Sequence, residues 1–114
     1  MITLYGIKNC DTVKKARTWL SDNNIEFKFH DFRADGINAQ QVERWLKAVG
    51  PDILINKKGT SWRGLDATTQ QHALKDPISV VVAHPTIVKR PVLEFGATVN
   101  IGFKPEQYAA LLLK

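Results

Sequence analysis

A chain of 114 residues, 44% hydrophobic and 24% charged, has the size of one domain with one core and the composition of an ordinary globular protein. Its net charge of +5 comes from 16 Lys and Arg residues scattered in runs no longer than two, which argues for a solvated basic surface and against direct nucleic-acid binding. No apolar stretch approaches the roughly 18 residues of a membrane span, and MITLYGIKNC lacks the basic start and apolar run of a signal peptide, so a cytoplasmic protein without membrane contact is expected.

The apolar stretch Ile2 to Tyr5 reads as a strand. After a short polar loop, Val13, Ala16 and Leu20 recur at helical spacing, which places a helix start at Cys10, the one cysteine of the chain. Unpaired backbone N–H groups and the positive end of the macrodipole favour an anion there, and the thiolate is the nucleophilic form of cysteine. Free cysteines are more often small buried hydrophobes. Here Lys8, Asn9, Asp11, Lys14 and Lys15 surround it, so an exposed thiol is expected. The lysines favour its thiolate and Asp11 opposes them. A single cysteine excludes an internal disulfide and a dithiol relay, and suits a reducing compartment.

Asn23 and Asn24 close the first helix, and Ile25 to His30 alternates as a strand does. Residues 2 to 30 then form a βαβ unit with parallel strands, and Cys10 lies at the carboxyl end of the first, the side of an α/β sheet where ligands bind. Asn38 caps a helix with Val42, Trp45, Leu46 and Val49 on one face, ended by Gly50 and Pro51. Ile53 to Leu65 is ambiguous, with a turn at Lys58 and Gly59, and Thr68 to Lys75 reads as a polar-faced helix. The valines within Ile78 to Ala83 suit a buried strand, but Asp76 with Pro77 before them and His84 with Pro85 after them favour a helix. Val92 to Phe95 and Thr98 to Ile101, turning at Gly96, form an antiparallel hairpin, followed by a helix from Pro105 with Tyr108, Leu111 and Leu112 inward.

His30, His72 and His84 read as surface or core-edge residues, and three histidines and one cysteine without ligand spacing do not suggest zinc. Trp19, Trp45 and Trp62 read as core or core-edge aromatics. Lys57, Lys58 and Gly59 lack the glycine spacing of a phosphate loop.

With its helical block removed, the order βα, β, ββα is that of a thioredoxin-like core. The segments LYGIKNCDTVKKA, LINKKGTSWRGL, HPTIVKRPVL and GFKPEQY together resemble the arsenate reductase (ArsC)-like family, in its small Spx/YffB-type branch. The resemblance implies an α/β, thioredoxin-like fold with a mixed four-stranded sheet: a single domain over 1–114, its core in 1–30 and 86–114 and a helical insertion over 31–85. It implies a nucleophilic cysteine in the first loop, here Cys10. It also implies a cis-proline facing that cysteine, matched by Pro91, so the bond between Arg90 and Pro91 is expected to be cis, a state held by about 5–6% of such bonds.

Arsenate-reducing members surround the cysteine with three arginines. The matching places hold Arg90, Asn56 or Lys57, and Lys104. Lysine supplies charge without the planar fork that grips an oxyanion, so the pattern points away from arsenate and keeps a general anion site. Branch members with this pattern look like glutathione-dependent thiol reductases, and the resemblance implies that activity here. In that scheme Cys10 and Arg90 are catalytic. Asn9 and the backbone of Asp11, Thr12 and Val13 line the thiolate, Pro91 faces it, and Lys8, Lys57 and Lys104 steer glutathione carboxylates. No bound cofactor or metal is expected; glutathione or another small thiol is the cosubstrate, and an oxidised thiol or an oxyanion the substrate. Spx-type relatives instead act by binding RNA polymerase, and their redox-sensing members carry a second cysteine three residues on, where this chain has Val13. A monomer is the simplest expectation, since no long apolar face is left over.

Overall fold

The computed structural model describes residues 1–113. Along the chain run β1 (Ile2–Gly6), α1 (Asp11–Asp22), β2 (Phe27–Asp31), α2 (Phe32–Asp35), α3 (Ala39–Val49), α4 (Pro51–Leu54), α5 (Thr60–Arg63), α6 (Ala67–Lys75), α7 (Pro77–Ala83), a 3₁₀ turn (Pro85–Ile87), β3 (Val92–Phe95), β4 (Thr98–Ile101) and α8 (Pro105–Leu112). They fall into two compact units, one taking in Met1–Asp31 and the chain from Arg90 onward, the other Phe32–Lys89.

The first unit holds the sheet, in the order β2-β1-β3-β4. β1 and β2 are parallel, with Ile2 opposite Phe27 and Gly6 opposite Asp31. β3 runs antiparallel to β1, with Val92 opposite Tyr5, and β4 antiparallel to β3, with Ile101 opposite Val92. This is the mixed four-stranded sheet of a thioredoxin-like fold. Leu4 and Leu93 from the strands, Ala16 and Leu20 from α1 and Tyr108 from α8 form its buried core, with Leu111 and Leu112 packed against them. β2 starts at Phe27 and not at Ile25, because the chain is still finishing α1 there: Asn24 takes a positive φ of 58° and the Ile25 N–H donates to the Leu20 carbonyl at 3.0 Å.

The second unit is helical. Asn38 heads α3 with a reciprocal pair of bonds, its Oδ1 accepting from the Gln41 N–H at 2.8 Å and its own N–H donating to Gln41 Oε1 at 2.9 Å. Asn38→Ala removes half of this capping box and is expected to cost about 1 kcal/mol, read as a lower urea midpoint at unchanged slope. The three valines of α7 sit on a helix as the flanking residues require: Val80 and Val81 are buried, Val82 is exposed, and α7 packs on α3 and α6. Asp76 starts it by accepting from the Ser79 N–H at 3.2 Å and the Ser79 hydroxyl at 2.7 Å, bonds that hold the carboxyl below its usual range. A carboxyl lowered on folding stabilises above its unfolded value, so this cap persists through neutral pH and is lost as pH falls through the folded value. The ambiguous stretch from Ile53 to Leu65 becomes the end of α4, a bridge and α5. Ile55 pairs antiparallel with Val88, fixed by Asn56 N–H to the Ile87 carbonyl and Lys89 N–H to the Leu54 carbonyl, both at 2.8 Å. Among the described residues, no helix is long and apolar enough to cross a membrane.

Candidate active site

Sheet register gathers three segments of the first unit at one end. β1 ends at Gly6 and leads into the Cys10 loop. β3 begins at Val92, opposite Tyr5, so Arg90 and Pro91 precede it at that same end. β4 ends at Ile101, opposite Val92, so Gly102, Phe103 and Lys104 leave the sheet there too. A hydrogen bond from the Gly102 N–H to the Pro91 carbonyl, 2.8 Å, ties the second and third segments together. The bond between Arg90 and Pro91 is cis.

Cys10 is the N-cap of α1, with extended backbone (φ −96°, ψ 123°). Its carbonyl accepts from the Lys14 N–H at 2.9 Å and opens the helix, and its N–H donates to the Ile7 carbonyl at 3.3 Å. The Cys10 side chain makes no capping hydrogen bond to this terminus. The N–H groups of the first turn are therefore left for whatever the thiol holds. The thiol is half-buried, not fully exposed as its polar neighbours suggested, with buried Ile7 and Val13 on either side of it in the chain. Lys8, Asn9, Asp11 and Thr12 are exposed around it, while Val13 is fully buried and contributes only its backbone.

Gly6 fixes this geometry, and sequence reasoning did not single it out. A Cβ on Gly6 would lie 2.6 Å from one methyl of Val13 and 3.1 Å from the other, so only glycine lets α1 close onto the end of β1. The signal available was a glycine at the strand end, one position before the loop. Gly6→Ala must displace a stiff, buried, β-branched side chain, and is expected to destabilise by about 1–3 kcal/mol and to move the start of α1, read by denaturation and by altered reactivity of Cys10. Gly102 is the other glycine the site requires: its φ of 86° suits no other residue well, and its N–H is the donor to Pro91.

Of the remaining candidates in this unit, Arg90 is half-buried, Pro91 buried, and Lys104 exposed as the residue preceding α8. Asn56 and Lys57 belong to the helical unit. Asn56 is half-buried, and its carbonyl accepts from the Gly59 N–H at 3.1 Å. Lys57 lies 3.6 Å from an Asp52 carboxylate oxygen and 6.0 Å from the centre of the Trp62 ring, so its ammonium already has local company. His30 packs its ring against Tyr5 at 4.9 Å, and His72 and His84 are exposed. Trp45 is fully buried, and Trp19 and Trp62 half-buried. No three His, Cys, Asp or Glu side chains among the described residues come together as metal ligands.

A lone cysteine at the start of the first helix stands at one end of a mixed four-stranded sheet, and the fold is thioredoxin-like. The ArsC family model matches residues 5–111, and the chain belongs to the ArsC family. It is similar to a solved YffB protein at 42% identity and a TM-score of 0.93, over 98% of this chain and 99% of that one. It is also similar to an arsenate reductase (ArsC) related protein from Brucella melitensis, at 44% identity and a TM-score of 0.74, over 96% and 92% of the two chains. The Global transcriptional regulator Spx 2 of Lactococcus lactis is 27% identical over 114 residues, 98% of this chain and 86% of the regulator. These relatives set the chain in the Spx/YffB-type branch.

Proposed function

We propose that this protein is a cytosolic, glutathione-dependent thiol reductase with Cys10 as its nucleophile. The observation that carries the reading is the uncapped α1 terminus, where a half-buried cysteine occupies the N-cap position and leaves the first-turn N–H groups to an anion. Cys10, as thiolate, attacks the glutathionyl sulfur of a mixed disulfide. The Cys10–glutathione bond forms as the substrate's S–S bond breaks, and the substrate leaves as a thiolate that takes a proton from water. With no second cysteine to resolve the adduct, a second glutathione thiolate attacks it, forming oxidised glutathione and releasing the Cys10 thiolate. The net reaction turns one mixed disulfide and one glutathione thiol into one free substrate thiol and one oxidised glutathione, half of which comes from the mixed disulfide itself. Arg90 and Lys104, on segments that leave the same sheet end, supply positive charge for the carboxylates of glutathione or another anionic group, and Lys8 adds to it from the loop.

A second reading, a regulator that binds RNA polymerase, draws support from the Spx relatives that match nearly the whole chain. Buried Val13 stands where a partner cysteine would be needed for a disulfide switch, so such a regulator would work without one. Glutathione-coupled reduction of a mixed disulfide against co-purification with RNA polymerase separates the two readings. Arsenate-dependent glutathione consumption tests the third, arsenate reduction, for which Arg90 is the one arginine at the matched positions.

A further inference from the structure

The solvent side of α1 carries a feature that the thiol chemistry leaves unused. Between α1 and the start of α8 runs a groove of about 400 Å³, open along its length. Its floor is apolar: Trp19, Phe103 and Pro105, with the first two held edge-on against buried Tyr108 at ring distances of 5.7 and 4.8 Å. Lys14 and Lys15 stand at the end nearer Cys10, one helical turn beyond it, exposed and without a carboxylate partner among the described residues. Thr18 lies midway, and Asp22 closes the far end. From Lys14 to Asp22 the groove follows about 12 Å of helix.

We propose that this groove docks an extended segment of a protein substrate, with acidic residues next to its oxidised cysteine and an aromatic or large aliphatic residue beyond them. The chemistry of the walls sets that order. Carboxylates meet the lysines close to Cys10, the apolar side chain covers Trp19 one turn farther along α1, and Asp22 repels a segment laid the other way. A small ligand is the poorer match, because small-molecule sites enclose their ligands, whereas an open, elongated, aromatic-floored groove fits a peptide chain. The proposal takes its substrate class from the reductase reading, but the docking itself needs no redox step.

The test uses a labelled peptide in which paired Glu residues follow a serine, in place of the reactive cysteine, and precede a Phe; binding is read by fluorescence anisotropy. Thr18 is exposed and outside the thiol machinery, and Thr18→Glu brings in a better helix former while setting a negative charge in the middle of the groove. The acidic peptide is expected to bind about tenfold more tightly than its counterpart with Lys in place of Glu, and Thr18→Glu to weaken it by about tenfold while Thr18→Arg does not. Turnover of hydroxyethyl disulfide should be unchanged in Thr18→Glu. Equal binding of the acidic and basic peptides, or no effect of Thr18→Glu, overturns the proposal. Hydroxyethyl disulfide turnover without peptide binding overturns it while leaving the reductase reading intact, and peptide binding without any Cys10-dependent turnover upholds the docking and overturns the reductase reading.

Discussion

Cys10→Ser is expected to abolish glutathione-coupled disulfide reduction, a loss of more than about a thousandfold, while the protein becomes no less stable. Both halves follow from the N-cap position. A serine hydroxyl is a poor nucleophile at neutral pH, but it is a favoured N-cap that can accept from the free N–H groups of the first turn, where the thiol makes no such bond. Serine would therefore add up to about 1 kcal/mol to α1. In the proposed scheme the chain forgoes that stability to keep the donors open for the thiolate, a local inconsistency typical of functional sites. Activity by a coupled glutathione assay and stability by urea denaturation on the same sample separate loss of chemistry from loss of fold. Substantial turnover by Cys10→Ser refutes the scheme.

Tyr108→Ala is expected to cost about 3–5 kcal/mol, much of the 5–15 kcal/mol by which a domain of this size is stable. Tyr108 is fully buried, its ring meets Trp19 at 89° and Phe103 at 87°, and its hydroxyl donates to the Gly102 carbonyl at 3.2 Å. Since the Gly102 N–H holds the Pro91 carbonyl, loss of Tyr108 also loosens the site's second and third segments. Tyr108→Phe keeps the packing and removes only the hydroxyl bond, so about 1 kcal/mol is expected. Burial pushes the phenol well above its ordinary value. A pKa raised on folding gives stability that is complete below the unfolded value, about 10, and is lost as pH rises through the folded one. Stability should therefore decline above about pH 10 in the wild type and decline less steeply in Tyr108→Phe, as measured by urea midpoints across that range.

Much of this architecture is legible in the sequence because local chemistry states it. The hairpin strands fall at Val92–Phe95 and Thr98–Ile101 because β-strand formers flank a glycine, and that glycine, Gly96, does turn with a positive φ of 55°. Asn38 caps α3 and Asp76 with Pro77 starts α7, overriding the strand preference of the valines. α2, α4 and α5 were hidden, since four residues make barely one turn and show no periodicity. The Ile55 and Val88 bridge was hidden as well, being set by residues far apart in the chain. The start of α1 at Cys10 could be read from the spacing of Val13, Ala16 and Leu20. The Gly6 approach to Val13, the bond from Gly102 to Pro91 and the half-burial of the thiol could not, because each depends on segments that only the folded sheet brings together.

The most direct measurement is to mix the protein with a glutathione mixed disulfide in a single turnover, quench with acid and weigh the intact chain. A Cys10 nucleophile predicts one glutathione bound through a disulfide at Cys10, formed in step with the released substrate thiol and cleared as oxidised glutathione when free glutathione is added. A chain that stays unmodified while the disulfide is reduced, or an adduct that free glutathione does not clear, would contradict it.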